Sequence, residues 1–223
     1  MGTAPEIRED LAAAQRDAVE HWGRPGAWWT GSERLAMVTE CRRARAGDLP
    51  AWVAPTTVDG LIDADHVLPG AAIDAVWRLS CGPGTLTHEW HQGILERGLS
   101  PLSYLELVAV VASSAAVDTF ATALGHTPPP LGEAESGSAH GESVPDAEVR
   151  AHWVPTTPAN GPNVFVALSA ARHDQEMIRR LVEAHYLPAD ALMGDLEWSR
   201  GTLDRMQIEL LAARTSALNE CFY

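Results

Sequence analysis

The sequence predicts an all-α fold made of two related helical halves joined by a Pro/Gly-rich linker, and three observations carry that expectation. Apolar residues recur at three- and four-residue spacing in nearly every segment. Helix start signals stand immediately before the periodic runs. No stretch alternates apolar and polar residues for long enough to predict a sheet.

Taken in order, the first helix is expected over 6–22. "Thr30-Gly-Ser-Glu33" has capping-box spacing, with the Thr hydroxyl free to accept an amide and Glu33 able to reach back, and it opens "ERLAMVTECRRARA". Helices follow over 69–80 and 85–98. Ser100 then supplies an N-cap and Pro101 an N1 proline, which open a helix running to Gly125. That helix is apolar on almost every side, so it is expected at the centre of a bundle. From His126 to Pro162 the chain becomes rich in Pro, Gly, Ser and Glu, and it reads as a linker with one short anchored piece around Trp153. Further helices are expected over 163–186 and 202–217. The division is therefore 1–125, linker 126–162, and 163–223.

The two halves align with each other at an offset of 103: "ELVAVVASSAAVDTF" from Glu106 lies over "ELLAARTSALNECFY" from Glu209. Glu, Leu, Ala and Ser match, and an aromatic ends both segments. Asp118 then stands where the second segment has Cys221.

Composition excludes several functions. A chain of 223 residues with 46% apolar content can bury a real core. Thirty acidic residues against 16 basic ones give a formal charge of -14, which repels phosphate backbones and anionic lipid, so nucleic-acid and membrane-surface partners are not expected. All 16 basic residues are Arg, and the absence of Lys removes Schiff-base chemistry and the lysine of a P-loop. Three cysteines, Cys41, Cys81 and Cys221, are too sparse for a secreted disulfide framework. The N-terminus has neither the basic start nor the apolar stretch of a signal peptide, and Glu6 replaces the Ser or Thr of a myristoylation signal. The run Leu102–Val117 is interrupted by Glu106 and is short for a bilayer. A cytoplasmic location is expected.

The segment 202–223 carries the most chemistry. Glu209 and Cys221 are 12 residues apart, roughly 18 Å along a straight helix, too far for proton transfer. Asn219 supplies a break, since Asn tolerates a left-handed C-cap and also serves as an N-cap. Cys221 would then open a new helix, where free amides and the positive dipole end favour a thiolate.

The pattern Gln207-Ile-Glu-Leu-x-x-x-Arg-x-Ser216-x-Leu-Asn219-x-Cys221-x-Tyr223 resembles the alkylhydroperoxidase (AhpD-like) and carboxymuconolactone decarboxylase superfamily over about twenty residues. "TGSERLAMVTE" and "LSYLELVAVVASSAAVDTFATALG" look more loosely like a degenerate first copy of a two-copy member. The resemblance implies an AhpD-like helical bundle that needs no bound cofactor or metal and assembles as a dimer, trimer or hexamer. It implies a peroxide substrate or a thiol/disulfide reductant as partner. It makes Glu209 the acid/base of a proton relay and Cys221 the resolving member of a Cys-x-x-Cys pair, with Tyr223 between the two cysteines. The family's second cysteine would follow Tyr223 and its histidine would stand four residues further, and neither is among the 223 residues. Two other expectations stand beside this one: a non-catalytic helical scaffold derived from such an enzyme, and a decarboxylase-like acid/base enzyme using Glu209.

Outside that segment, His88 and His91 lie at i, i+3 and read as a helix-surface pair, since zinc-protease spacing is i, i+4 and no third ligand is evident. His173 and His185 read as partners of Asp174 and Glu183, or as solvated. Cys41 is expected to pack or face solvent, and Cys81 to sit at a helix end. Trp28, Trp29, Trp77 and Trp90 read as core and subunit anchors. Dinucleotide-type Gly-rich loops, G-x-S-x-G elbows and Walker sequences do not occur.

Overall fold

A computed structural model describes residues 6–47, 65–150, 152–158, 166–188, 191, 194 and 197–221. Among them are seven α-helices: α1 (Glu9–Trp22), α2 (Gly31–Ala46), α3 (Gly70–Cys81), α4 (His88–Glu96), α5 (Pro101–Ala123), α6 (Arg172–His185) and α7 (Arg205–Leu218). The all-α class therefore stands at this coarse level.

The start signals work as the residues dictate. The Thr30 hydroxyl accepts from the Glu33 amide while Glu33 returns to the Thr30 amide, so both halves of the capping box are made. The Ser100 hydroxyl accepts from the Ser103 amide, with Pro101 at N1 where no amide is needed. Asp204 and Gln207 form a second capping box that opens α7.

The core sits between α1, α2, α3, α5 and α6. Helix α1 contributes Leu11, Ala14, Ala18 and Trp22, all on one helical face. Trp22 is fully buried, and its indole N–H donates to Ser113 Oγ at 2.9 Å, so burial of the ring leaves no donor unpaired. Helix α5 is long and apolar enough to cross a membrane by length and composition alone. Here α2, α3 and α6 pack around it, which is the central place its all-round apolar pattern predicts.

Three differences from the sequence expectations have physical causes. The helix expected over 163–186 begins only at Arg172; residues 163–165 lie outside the described residues, and 167–170 form turns. Met177, Leu181 and Ala184 of α6 join the same core cluster as α1 and α5, so this helix packs with the N-terminal elements. The expectation of no sheet is corrected by two antiparallel pairs of two residues each: β1 (Glu148–Val149) with β2 (Pro155–Thr156), and β3 (Ser199–Arg200) with β4 (Leu203–Asp204). Strands this short cannot display an alternating pattern.

The Pro/Gly-rich stretch is also pinned more firmly than its composition suggests. The amides of Glu135, His140 and Gly141 donate to the carbonyls of Gly23, Gly26 and Ala27. Val144 packs with Leu105, Ala170 and Ala171 in a second small cluster. Every residue except proline carries a backbone donor, and the Glu, His and Gly of this stretch supply theirs whatever their side chains.

Helix α7 stands apart. Only Arg205 and Ile208 are buried on it, while Met206, Leu210, Leu211 and Leu218 are exposed.

Candidate functional site

Helix α7 brings Arg205 and Glu209 onto one face at i, i+4. Arg205 Nε donates to Glu209 Oε1 at 2.6 Å, and the Tyr186 hydroxyl, just past the end of α6, donates to Glu209 Oε2 at 2.5 Å. Arg205 Nη1 also donates to the Ala191 carbonyl, which anchors the guanidinium from behind. The Tyr186 hydrogen bond first, and then Arg205, hold Glu209 below its ordinary carboxylate range. Burial and the same carboxylate push the Tyr186 phenol up to about 12. Glu209 is thus an ionised carboxylate that accepts a hydrogen bond from a neutral phenol. A cavity of about 710 Å³ opens beside it, lined by Glu197, Asp204, Arg205, Met206, Glu209 and Leu210.

Cys221 lies at the other end of α7. The amide of Glu220 donates to the Ala217 carbonyl and that of Cys221 to the Ser216 carbonyl, the two bonds of a Schellman cap. The left-handed residue of that cap is Glu220, at φ 51°, one position later than expected; Asn219 stays at φ -94° and its side-chain amide donates to the Thr215 carbonyl. Helix α7 therefore runs unbroken from Glu209 to Leu218, a rise of about 14 Å. The Cys221 thiol is exposed beside the carbonyl end of α7. Among the described residues the structure joins Glu209 to Tyr186 and Arg205, not to Cys221. Tyr223 lies outside the described residues.

Sequence reasoning missed a second polar centre. Arg34, from the capped helix α2, is buried with Glu106 from α5 and Asp174 from α6. Arg34 Nη1 donates to Glu106 Oε1 at 2.5 Å and Nη2 to Asp174 Oδ1 at 2.7 Å, while His21 Nε2 lies 2.9 Å from the same Asp174 oxygen. The Trp28 amide takes the second Glu106 oxygen at 2.8 Å. Gly26 is required beside this group, because a Cβ there would fall 1.9 Å from Glu106 Oε1. Burial raises Glu106 above its ordinary range, with Arg34 opposing. Burial would also raise Asp174, but the His21 and Arg34 hydrogen bonds outweigh it and leave that carboxyl lowered. One signal was readable, a lone Glu within an apolar helix, which needs a buried partner.

The remaining candidates resolve as follows. His91 is fully buried rather than on the helix surface, packed against Tyr104 at 4.8 Å and Trp153 at 5.9 Å between ring centroids. The His88 and His91 rings lie 6.4 Å apart and nearly parallel. His88 is exposed and its ring also meets Trp153, so the pair belongs to an aromatic group with Tyr104 and Trp153. His185 pairs with Gln15 rather than Glu183, and His173 stands edge-on to His140 rather than bonded to Asp174. Cys41 is buried, which raises its thiol pKa, and Cys81 is exposed at the end of α3.

No protein-family model, no curated protein and no solved structure matches the chain.

Proposed function

We propose that the 202–223 segment is part of an alkylhydroperoxidase-like thiol site, with Glu209 as proton acceptor and Cys221 as the resolving thiol. The observation that carries the reading is the spaced set Glu209, Asn219, Cys221 and Tyr223, with Glu209 held ionised at a cavity mouth. In the reaction, a peroxidatic thiolate attacks the peroxide O–O bond, becoming a sulfenic acid as the alcohol leaves with one proton. Cys221 then attacks the sulfenic sulfur, a disulfide forms, and hydroxide leaves as water after taking a proton. Glu209, held in place by the Tyr186 and Arg205 hydrogen bonds, serves as the proton acceptor.

The test supplies the thiol that the 223 residues lack. Appending a cysteine directly after Tyr223 and a histidine four residues beyond should raise consumption of cumene hydroperoxide, with dithiothreitol as reductant, at least tenfold over the 223-residue chain. Cys221→Ser should abolish the gain. No gain would refute the redox reading.

A second reading is favoured by one observation: both Glu209 oxygens are engaged by Tyr186 and Arg205 rather than by a thiol. It makes Glu209 the base of a redox-independent reaction of the carboxymuconolactone decarboxylase type. Alkylation of Cys221 separates the two, since it should stop only the redox reaction.

A further inference from the structure

The last turns of α2 and α5 flank an open, solvent-facing cavity of about 580 Å³, lined by Arg42, Arg45, Ala46, Asp118, Thr119, Thr122, Ala123 and Pro128. Its charged floor is built rather than incidental. Arg42 grips Asp118 through Nε at 3.1 Å and Nη2 at 2.9 Å. Arg45 reaches the same carboxylate through Nη1 at 3.0 Å and braces Nη2 on Ser114 Oγ at 2.9 Å. Both guanidinium groups are mostly shielded, and Asp118 is nearly fully buried. Two cations on one anion leave one side-chain positive charge in excess at this spot, partly offset by the carbonyl ends of α2 and α5, on a chain of formal charge -14. Arg42 Nη1 and Arg45 Nε have no hydrogen-bond partner among the described residues and are not sealed from solvent. The remaining wall is mostly apolar: Ala46, Ala123 and Pro128 offer carbon side chains, the Thr122 hydroxyl is committed to the Asp118 carbonyl, leaving its methyl, and Thr119 adds one hydroxyl.

We propose that this cavity binds an organic monocarboxylate with a short aliphatic body. The arginine pair offers N–H donors suited to a carboxylate. A single net positive charge matches a monoanion better than a dianion, and the carbon-lined wall supplies the burial that an inorganic anion could not use. Asp118 acts here as a positioning residue, fixing both arginines toward the cavity. The proposal does not rest on Glu209 or Cys221. It does give a role to the residue that replaces the cysteine in the alignment of the two halves.

Calorimetric titration of the full 223-residue chain with sodium octanoate at pH 7 and low salt tests it. Saturable one-to-one binding is expected, with octanoate bound at least tenfold more tightly than inorganic phosphate. Arg42→Gln should weaken octanoate at least tenfold. Ala123→Trp, at an exposed wall position outside the buried core, should block binding while leaving the circular dichroism spectrum unchanged. Absence of saturable octanoate binding, equal binding by all three proteins, or tighter binding of phosphate would overturn the proposal.

Discussion

Arg34→Met tests whether the buried charge centre between α2, α5 and α6 behaves as its geometry requires. Methionine keeps much of the side-chain volume, so the loss is chiefly that of the cation between Glu106 and Asp174, which are 0% and 4% exposed. Removing one partner of a buried ion pair costs about 3–5 kcal/mol because the other charge is left uncompensated. Asp174 keeps His21, so the burden falls on Glu106. That carboxylate has an escape: it takes a proton. From an ordinary value near 4.3, at about 1.36 kcal/mol per unit, protonation costs about 3.7 kcal/mol at pH 7 but only about 1 kcal/mol at pH 5. The sign follows from linkage. With its folded pKa raised above the unfolded one, Glu106 holds a proton in the native state that the unfolded chain has lost, so stability is present at low pH and falls as pH rises. Urea unfolding should therefore show the variant less stable than the parent by about 3–4 kcal/mol at pH 7 and by about 1 kcal/mol at pH 5. Adding Glu106→Gln should recover roughly 2 kcal/mol at pH 7, since a neutral amide no longer needs the cation. A loss below about 1 kcal/mol at pH 7, or the same loss at both pH values, would refute the reasoning.

Glu220→Gly should stabilise the chain by about 1 kcal/mol in the same unfolding assay, because the Schellman cap holds Glu220 at φ 51°, where only glycine is unstrained. A thiol reagent added to the native protein should label Cys81 and Cys221 quickly, with Cys41 reacting only after denaturant is added; peptide mass mapping identifies which sulfurs reacted. Tyr186→Phe should move the Glu209 titration, followed by carboxyl carbon resonance, up toward the ordinary carboxylate range, since its first hydrogen bond is lost. Because Glu209 is 43% exposed, the accompanying change in stability should stay within about 1 kcal/mol.

Periodicity made the helices legible, and local start signals sharpened α2 and α5, whereas α6, which has no side-chain cap, begins later than its pattern suggests. The Thr30–Glu33 box and the Ser100-Pro101 start are chemistry within three residues, and both Thr30 and Ser100 cap as their neighbours dictate; the Asp204–Gln207 box has the same spacing but is recognised only in the structure. Most of what escaped was non-local. Tyr186 reaches Glu209 only because the chain between α6 and α7 folds back, and nothing within a few residues of Tyr186 announces that. Asp174 sits beside His173 in sequence, yet it faces His21 and Arg34, because successive residues of a helix point in different directions. The pinned 126–147 segment escaped for another reason: its ties to residues 23–27 use backbone amides, which side-chain identity does not encode.

Glu106 and Glu209 show how far one sequence pattern can diverge in chemistry. Both open an Glu-Leu run within a helix, and the alignment of the halves superimposes them. Glu106 is sealed in the core, its oxygens taken by a guanidinium and a main-chain amide. A substrate cannot reach it without unpacking α2 from α5, so its charge serves to hold helices together. Glu209 has a guanidinium too, but its second oxygen meets a phenol rather than an amide, and it faces a cavity. The Tyr186 phenol, pushed up to about 12, keeps its proton at neutral pH as the Trp28 amide does, so what separates the two carboxylates is exposure: 43% for Glu209 and 0% for Glu106. Access to solvent is the difference here, and it makes Glu209 the residue to test for chemistry.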